Sequence, residues 1–233
     1  LFVFVLVNIA LCSLATYHSI DGDTLSVTFS HADDGQKYWG VATALVDFGS
    51  FLIPQEGLVP LAKAGPLTPI VFAFFIKVVG LQSAALLIVA LQCCLLFGMG
   101  LLSHDMAKFF RVSPYLVQGL VIFNPNLVGL AHYAQSDILF AFFFTSCCWI
   151  VSCKLLQASH INRKWFLLLG LTLGMMMLTR DVGKAFTVLI IPTLFLFLYF
   201  QHRIPRLDLR VISLSLLLTS ATAAAIYSPW VAR

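Results

Sequence analysis

Residues 81–102 read LQSAALLIVALQCCLLFGMGLL, an apolar run in which no side chain is charged. A helix needs about 20 predominantly apolar residues to cross the hydrocarbon core of a bilayer, so this run predicts a transmembrane helix. The rest of the chain has the same character, because 60% of its 233 residues are hydrophobic and only 10% are charged. Soluble domains carry about 25% charged residues. The composition therefore predicts an all-α polytopic membrane protein.

The hydropathy pattern predicts about seven transmembrane helices, of which the first and fifth are short. A further apolar run, residues 67–80, is too short to span a bilayer and predicts a helix at the membrane interface, with Lys77 reaching the headgroups. Both ends of the chain fall in apolar segments, so we expect residues 1–233 to form a single transmembrane domain that is a fragment of a longer protein. The seven predicted spans are Leu1–Tyr17, Leu81–Leu102, Pro114–His132, Ile138–Leu156, Trp165–Leu178, Ala185–Gln201 and Val211–Tyr227.

One hydrophilic segment, residues 18–66, follows the first predicted span. It contains six of the ten carboxylates of the chain and only two cations. We predict that it is a long external loop that carries short interfacial helices and the chemistry of the protein. One such helix is predicted to begin at or near Asp34, because apolar residues recur after it at helical spacing; they are Tyr38, Val41, Ala42, Leu45 and Val46.

The distribution of charge predicts the orientation of the bundle. With the N-terminus in the cytoplasm and seven alternating spans, the inner loops receive eight cations and two acids, and the outer side receives five cations and eight acids. This follows the positive-inside rule and places the loop of residues 18–66 on the periplasmic, external or lumenal side. A bacterial inner membrane is the expected location. The net charge of +4 arises from the inner loops, so it indicates topology and not binding to nucleic acid.

Carboxylates beside the membrane are the first candidates for chemistry. Asp33 or Asp34 could act as a general base towards a hydroxyl, and capping of a helix in a solvated loop is the alternative role. Asp137 opens the fourth predicted span and is either a functional acid or an N-cap, with Ser136 as the alternative cap.

Two cations follow the fifth predicted span on the same side. Arg180 and Lys184 could hold a phosphate, the arginine through two hydrogen bonds and the lysine as a point charge. The alternative is that Arg180 and its neighbour Asp181 are solvated among the headgroups.

The order of several short motifs resembles that of GT-C glycosyltransferases. HADDGQKYWGVA at residues 31–42, DFGSF at residues 47–51 and KAGPLTP at residues 63–69 resemble the first external loop of those enzymes. Among the GT-C enzymes, the motifs most resemble those of the protein O-mannosyltransferases and the aminoarabinose transferases, a type similar to glycosyltransferase family 39. Similar motifs continue along the chain; they are Asn124-Pro125, Gln135–Asp137, Gly170–Arg180 and Ser228–Arg233.

The resemblance implies an integral-membrane glycosyltransferase that moves a sugar from a polyprenyl-phosphate donor to an acceptor hydroxyl with inversion. It implies that Asp34, four residues before Tyr38, deprotonates the acceptor, that Asp137 is a second acid and that Lys63 binds the donor phosphate. The aminoarabinose transferases carry a Glu before that lysine, where this chain has Ala62. The expected substrate-binding residues are Asp33, Tyr38, Lys63, Arg180 and Lys184. No cofactor is assigned; a divalent metal near Asp34 and Asp137 stays open, although no dedicated ligand set is evident.

Three other classes of protein remain as alternatives. A transporter or channel would place ionisable groups near the middle of its spans, whereas these spans are almost free of charge. A noncatalytic membrane subunit would tolerate replacement of Asp34. A polymerase or ligase of surface polysaccharide would share the lipid-linked substrate but carry its large outer loop late in the chain.

Overall fold

The computed structural model describes residues 33–53, 59–60, 65–156, 162–200 and 209–231, and these are helical apart from short connections and one two-residue antiparallel β pairing. The predicted all-α class is therefore confirmed. The predicted span Leu1–Tyr17 lies outside the described residues. In chain order the elements are α1 (Asp33–Phe48), β1 (Leu52–Ile53), β2 (Val59–Pro60), α2 (Leu67–Val79), α3 (Leu81–Phe109), α4 (Pro114–Ile122), α5 (Pro125–Leu130), α6 (Asp137–Trp149) with a π-helical continuation (Ile150–Leu155), α7 (Arg163–Thr179), α8 (Val182–Phe200) and α9 (Leu209–Val231).

Within the described part of the chain, two helices are long and apolar enough to cross a membrane, Ser83–Phe109 and Asp137–Leu155. They correspond to the second and fourth predicted spans. Two shorter apolar helices, Leu67–Val79 and Val182–Leu194, do not reach that length. The membrane character of the protein therefore rests on α3 and on α6 with its π-helical continuation.

The third predicted span, Pro114–His132, is wrong as a single helix. The chain breaks at Phe123–Asn124, so that α4 has 9 residues and α5 has 6. Pro125 disfavours a helical conformation at the residue before it, and Asn124 is extended there with ψ 118°. The Asn124 side chain then accepts hydrogen bonds from the backbone N–H groups of Asn126 and Leu127 and starts a new helix.

The predicted surface helix is confirmed as α1, which begins at Asp33. Tyr38, Val41 and Ala42 are buried, and the helix ends at Phe48, just before Gly49, whose φ of 65° favours glycine. Its buried face belongs to an apolar cluster with α2 and the first half of α3, which includes Phe72, Ala73, Ile76, Ala84, Ala85 and Ile88.

Two glycines bring α7 and α9 into close contact. A Cβ atom on Gly170 would lie 2.6 Å from the carbonyl oxygen of Thr219, and one on Gly174 would lie 2.9 Å from Cβ of Ile226. Small residues four apart allow helix backbones to approach in this way, a common arrangement in membranes. The contacts advance in the same direction along both helices, so α7 and α9 are parallel.

The other contacts give the directions of the remaining long helices. Gln92 of α3 meets Gln135 just before α6, and Gly98 lies against Phe142, so α3 and α6 run parallel. The ring centroids of Trp149 and Trp165 are 5.8 Å apart, which joins the end of α6 to the start of α7 and makes them antiparallel. The first residue of α6 and the last of α7 therefore lie at the same end of the bundle, which we call the α6-start end.

Candidate functional site

An ion pair joins α6 to α7 at the α6-start end. The guanidinium Nη1 of Arg180 donates to Oδ1 of Asp137. Asp137 is the first residue of α6, and Arg180 is the residue that follows α7. The two side chains are only 28% and 33% exposed, respectively, so the pair is largely shielded from solvent in the protein. Of the roles considered for Asp137, helix capping is not the one seen, because its carboxylate faces another helix.

A hydrogen bond between side chains joins α1 to the same point. The hydroxyl of Ser136 donates to the hydroxyl oxygen of Tyr38 over 3.2 Å, and both residues are buried. Ser136 occupies the N-cap position of α6, but its side chain makes no cap bond and serves this contact instead. Adjacent residues, Ser136 and Asp137, thus connect α6 to α1 on one side and to α7 on the other. We call this group of four residues the junction: Tyr38, Ser136, Asp137 and Arg180.

The position predicted to carry the catalytic base lies one helical turn from the junction. Residue 34 precedes Tyr38 by four residues in α1, and positions four apart share a face of a helix. The side chains of Asp33 and Asp34 are outside the described set, so only their place in the backbone of α1 is known.

The segment that leads into α2 also reaches this end of the bundle. Gly65 is buried against the carbonyl group of Leu178, so closely that a Cβ atom would collide with it. Lys63, the residue expected to bind the donor phosphate, lies outside the described residues and precedes Gly65 by two positions.

Lys184 stands beside the junction in a second ion pair. Its Nζ lies 2.6 Å from Oδ1 of Asp181 and 5.2 Å from the ring centroid of Tyr227 in α9. The hydrogen bond to Asp181, followed by one to Tyr227, raises the pKa of Lys184 above its ordinary value. Lys184 therefore stays fully charged at neutral pH and holds the start of α8 near the end of α9.

Three of the expected substrate-binding residues make contacts that the sequence did not predict. Tyr38, expected to bind substrate, is 7% exposed and joins two helices. Arg180 and Lys184, expected to be available to a phosphate, each have a carboxylate partner. Arg180 is also paired with Asp137 on another helix, a contact that neither of its two expected roles included.

Two residues of this region were missed because their types are ambiguous in sequence. Gln92 lies inside the apolar run of α3 but is wholly buried and reaches Gln135. Tyr227 lies near the end of α9 and contacts Lys184. The only available signal for Gln92 was an amide side chain in the middle of an uncharged run. Nothing in the sequence pattern relates Tyr227 to Lys184.

The described residues contain no group of three or more His, Cys, Asp or Glu side chains that could bind a metal ion.

Comparisons of the chain with protein-family models, with curated proteins and with solved structures give no match.

Proposed function

We propose that this chain is the membrane portion of an inverting glycosyltransferase that uses a polyprenyl-phosphate sugar. The observation that carries the proposal is the junction. Tyr38, Asp137 and Arg180 come from three separate sequence motifs that resemble those of GT-C enzymes, and hydrogen bonds connect Tyr38 and Arg180 to adjacent residues of α6. Motifs about 100 and 140 residues apart along the chain therefore lie close together, and this supports their assignment to one site.

In the proposed reaction the carboxylate of Asp34 takes the proton of the acceptor hydroxyl. The hydroxyl oxygen attacks the anomeric carbon of the sugar as the bond from that carbon to the phosphate oxygen breaks. The polyprenyl phosphate leaves with the bonding electrons, and a single displacement inverts the anomeric configuration. The group that needs stabilisation is the departing phosphate, and positioned cations provide it.

The pairing of Arg180 affects how that phosphate is held. The Asp137–Arg180 pair has no net charge, and the Asp181–Lys184 pair beside it has none either. We therefore assign the main attraction for the phosphate to Lys63. Arg180 acts chiefly by fixing Asp137.

A membrane arrangement completes the proposal. We propose about seven spans, with the N-terminus in the cytoplasm of a bacterial cell and the loop of residues 18–66, with α1 and the interfacial helix α2, on the periplasmic side. The cations at the end of the bundle opposite the junction support this orientation; they are Lys108, Arg111, Lys154, Arg163 and Lys164. Lys154 lies over the rings of Trp149 and Trp165, 4.7 and 5.3 Å from their centroids, an arrangement suited to a headgroup region.

The decisive experiment is glycosyl transfer by the full-length protein in proteoliposomes supplied with radiolabelled polyprenyl-phosphate sugars. Loss of a general base costs about 10²–10⁴-fold in rate, so Asp34→Asn should lose transfer while its membrane insertion is unchanged. Asp47→Asn is the matched control, because Asp47 lies near the other end of α1 and is exposed. Wild-type turnover in Asp34→Asn would exclude the assignment of the base. If the wild-type protein transferred sugar from none of the donors, a transporter or a noncatalytic subunit would be favoured.

A further inference from the structure

Gln92 is a polar side chain in the middle of the apolar run of α3. It is 0% exposed, and its Nε2 donates to the backbone carbonyl oxygen of Gln135 over 3.4 Å. Its Oε1 is buried and has no hydrogen-bond partner among the residues that the structure describes. Burial of an amide group without full hydrogen bonding is destabilising. A leucine would avoid that cost, so the amide requires an explanation beyond packing.

The partner of Gln92 is the residue that precedes the junction. Gln135 stands directly before Ser136 and Asp137, in a tight turn where its N–H donates to the carbonyl oxygen of Tyr133 over 2.8 Å. From this turn Ser136 is directed to Tyr38 of α1 and Asp137 to Arg180 after α7. Gln92 therefore attaches α3, a helix that carries no junction residue, to the turn from which both contacts diverge.

We propose that Gln92 is a positioning residue that fixes the turn of residues 131–137 and thereby the directions of Ser136 and Asp137. Its amide acts on the backbone of that turn and does not contact the reacting groups. The consequence for catalysis rests on the proposed function: Gln92 would hold Asp137 in register with the α1 turn that carries Asp34. The structural part of the proposal stands without any enzymatic activity.

The first test is hydrogen exchange of the full-length protein in detergent, followed by mass spectrometry. Gln92→Leu keeps the volume of the side chain but removes the donor to Gln135. Loss of a hydrogen bond of this kind changes a local opening equilibrium by about three- to tenfold. The backbone amides of residues 131–137 and of α1 should exchange faster by that factor. Gln118→Leu is the matched control, because Gln118 lies on α4, outside the junction, and should leave this exchange unchanged.

The second test distinguishes a specific hydrogen bond from simple filling of space. In Gln92→Glu, a protonated carboxyl can donate to the carbonyl of Gln135, whereas a carboxylate can only accept and repels that oxygen. Relative to wild type at the same pH, protection of residues 131–137 should be retained at low pH and lost as the glutamate ionises. The titratable and charged groups around the turn are present in both proteins, so their effects cancel in the comparison; they are Tyr38, His132, Tyr133, Asp137 and Arg180.

The outcomes separate this inference from the proposed function. Unchanged exchange in Gln92→Leu, an equal effect of Gln118→Leu, or a pH-independent difference between Gln92→Glu and wild type would each overturn it. If Gln92→Leu does not fold, the Gln92→Glu profile decides alone. Glycosyl transfer by wild type with normal exchange in Gln92→Leu would remove only the role of Gln92. Faster exchange in Gln92→Leu without any transfer by wild type would remove only the proposed function.

Discussion

Asp137 and Arg180 form an ion pair between the first residue of α6 and the residue that follows α7, two antiparallel helices that meet at one end of the bundle. Because Ser136 is hydrogen-bonded to Tyr38, the pair also lies next to the contact that holds α1. The hydrogen bond of Ser136 thus connects the start of α6 to the surface helix α1, and the ion pair of the adjacent Asp137 connects α6 to the end of α7.

The ion pair should show strong coupling in a double-mutant cycle. Asp137→Asn or Arg180→Gln alone leaves a partly buried charge without its partner, so each should lower the free energy of unfolding by about 1–2 kcal/mol. The double variant should lose clearly less than the sum. The free energies of unfolding of the wild type, the two single variants and the double variant are measured on purified protein in detergent micelles.

The pair of Asp105 and Lys108 is the control for that cycle. These side chains are 50% and 58% exposed on α3, and exposed pairs contribute about 0.2–1 kcal/mol. The same cycle there should give coupling at the low end of this range. Additive losses at Asp137 and Arg180 would show that their contact contributes nothing to stability.

Tyr38→Phe should loosen the attachment of α1 while preserving its packing. The substitution removes only the hydroxyl, so the buried Ser136 loses its acceptor, at a cost of about 1 kcal/mol. Hydrogen exchange or limited proteolysis of α1 should then be several-fold faster. Tyr115→Phe removes the same group from a side chain that is 79% exposed and should have no effect. Wild-type protection of α1 in Tyr38→Phe would contradict the role of this hydrogen bond.

Gly170 and Gly174 should not tolerate even a methyl group. A Cβ atom would lie 2.6 Å from the carbonyl oxygen of Thr219 or 2.9 Å from Cβ of Ile226, and overpacking of this kind costs about 1–3 kcal/mol. Each alanine variant should therefore unfold at a lower temperature in detergent. Gly119→Ala on α4 meets nothing within 4 Å and should be neutral or stabilise the protein by up to about 1 kcal/mol through helix propensity. Equal behaviour of the three variants would exclude a close contact between α7 and α9.

The sequence predicted those features of the fold that depend on local patterns. The apolar run of α3 and the spacing of Tyr38, Val41 and Ala42 were sufficient to predict a helix long and apolar enough to cross a membrane and an amphipathic surface helix. The third span was mispredicted because a hydropathy window averages over Asn124 and Pro125. The backbone restriction at those two residues, which breaks the helix, has no hydropathic signature.

The site was predicted in part, because residue types indicate chemical capability but not partners. Asp137 and Arg180 were both identified as candidates, yet no local pattern pairs them, since 43 residues separate them. The contact of Tyr38 was not predicted for the same reason: its partner, Ser136, is 98 residues away. Such pairings depend on how α1, α6 and α7 pack, which is a tertiary property.

The proposed orientation predicts that opposite ends of the bundle are reached from opposite sides of the membrane. Lys37 lies on α1 and Lys164 at the start of α7, and both are exposed, so Lys37→Cys and Lys164→Cys form a matched pair. A membrane-impermeant maleimide added to intact spheroplasts should label Lys37→Cys at once and Lys164→Cys only after permeabilisation. The wild-type protein gives the background, because the cysteines in its described part lie in apolar helices, where a polar reagent reacts slowly. Labelling of both variants in intact spheroplasts, or of Lys164→Cys alone, would contradict an orientation in which the junction faces the periplasm and the basic end of the bundle faces the cytoplasm.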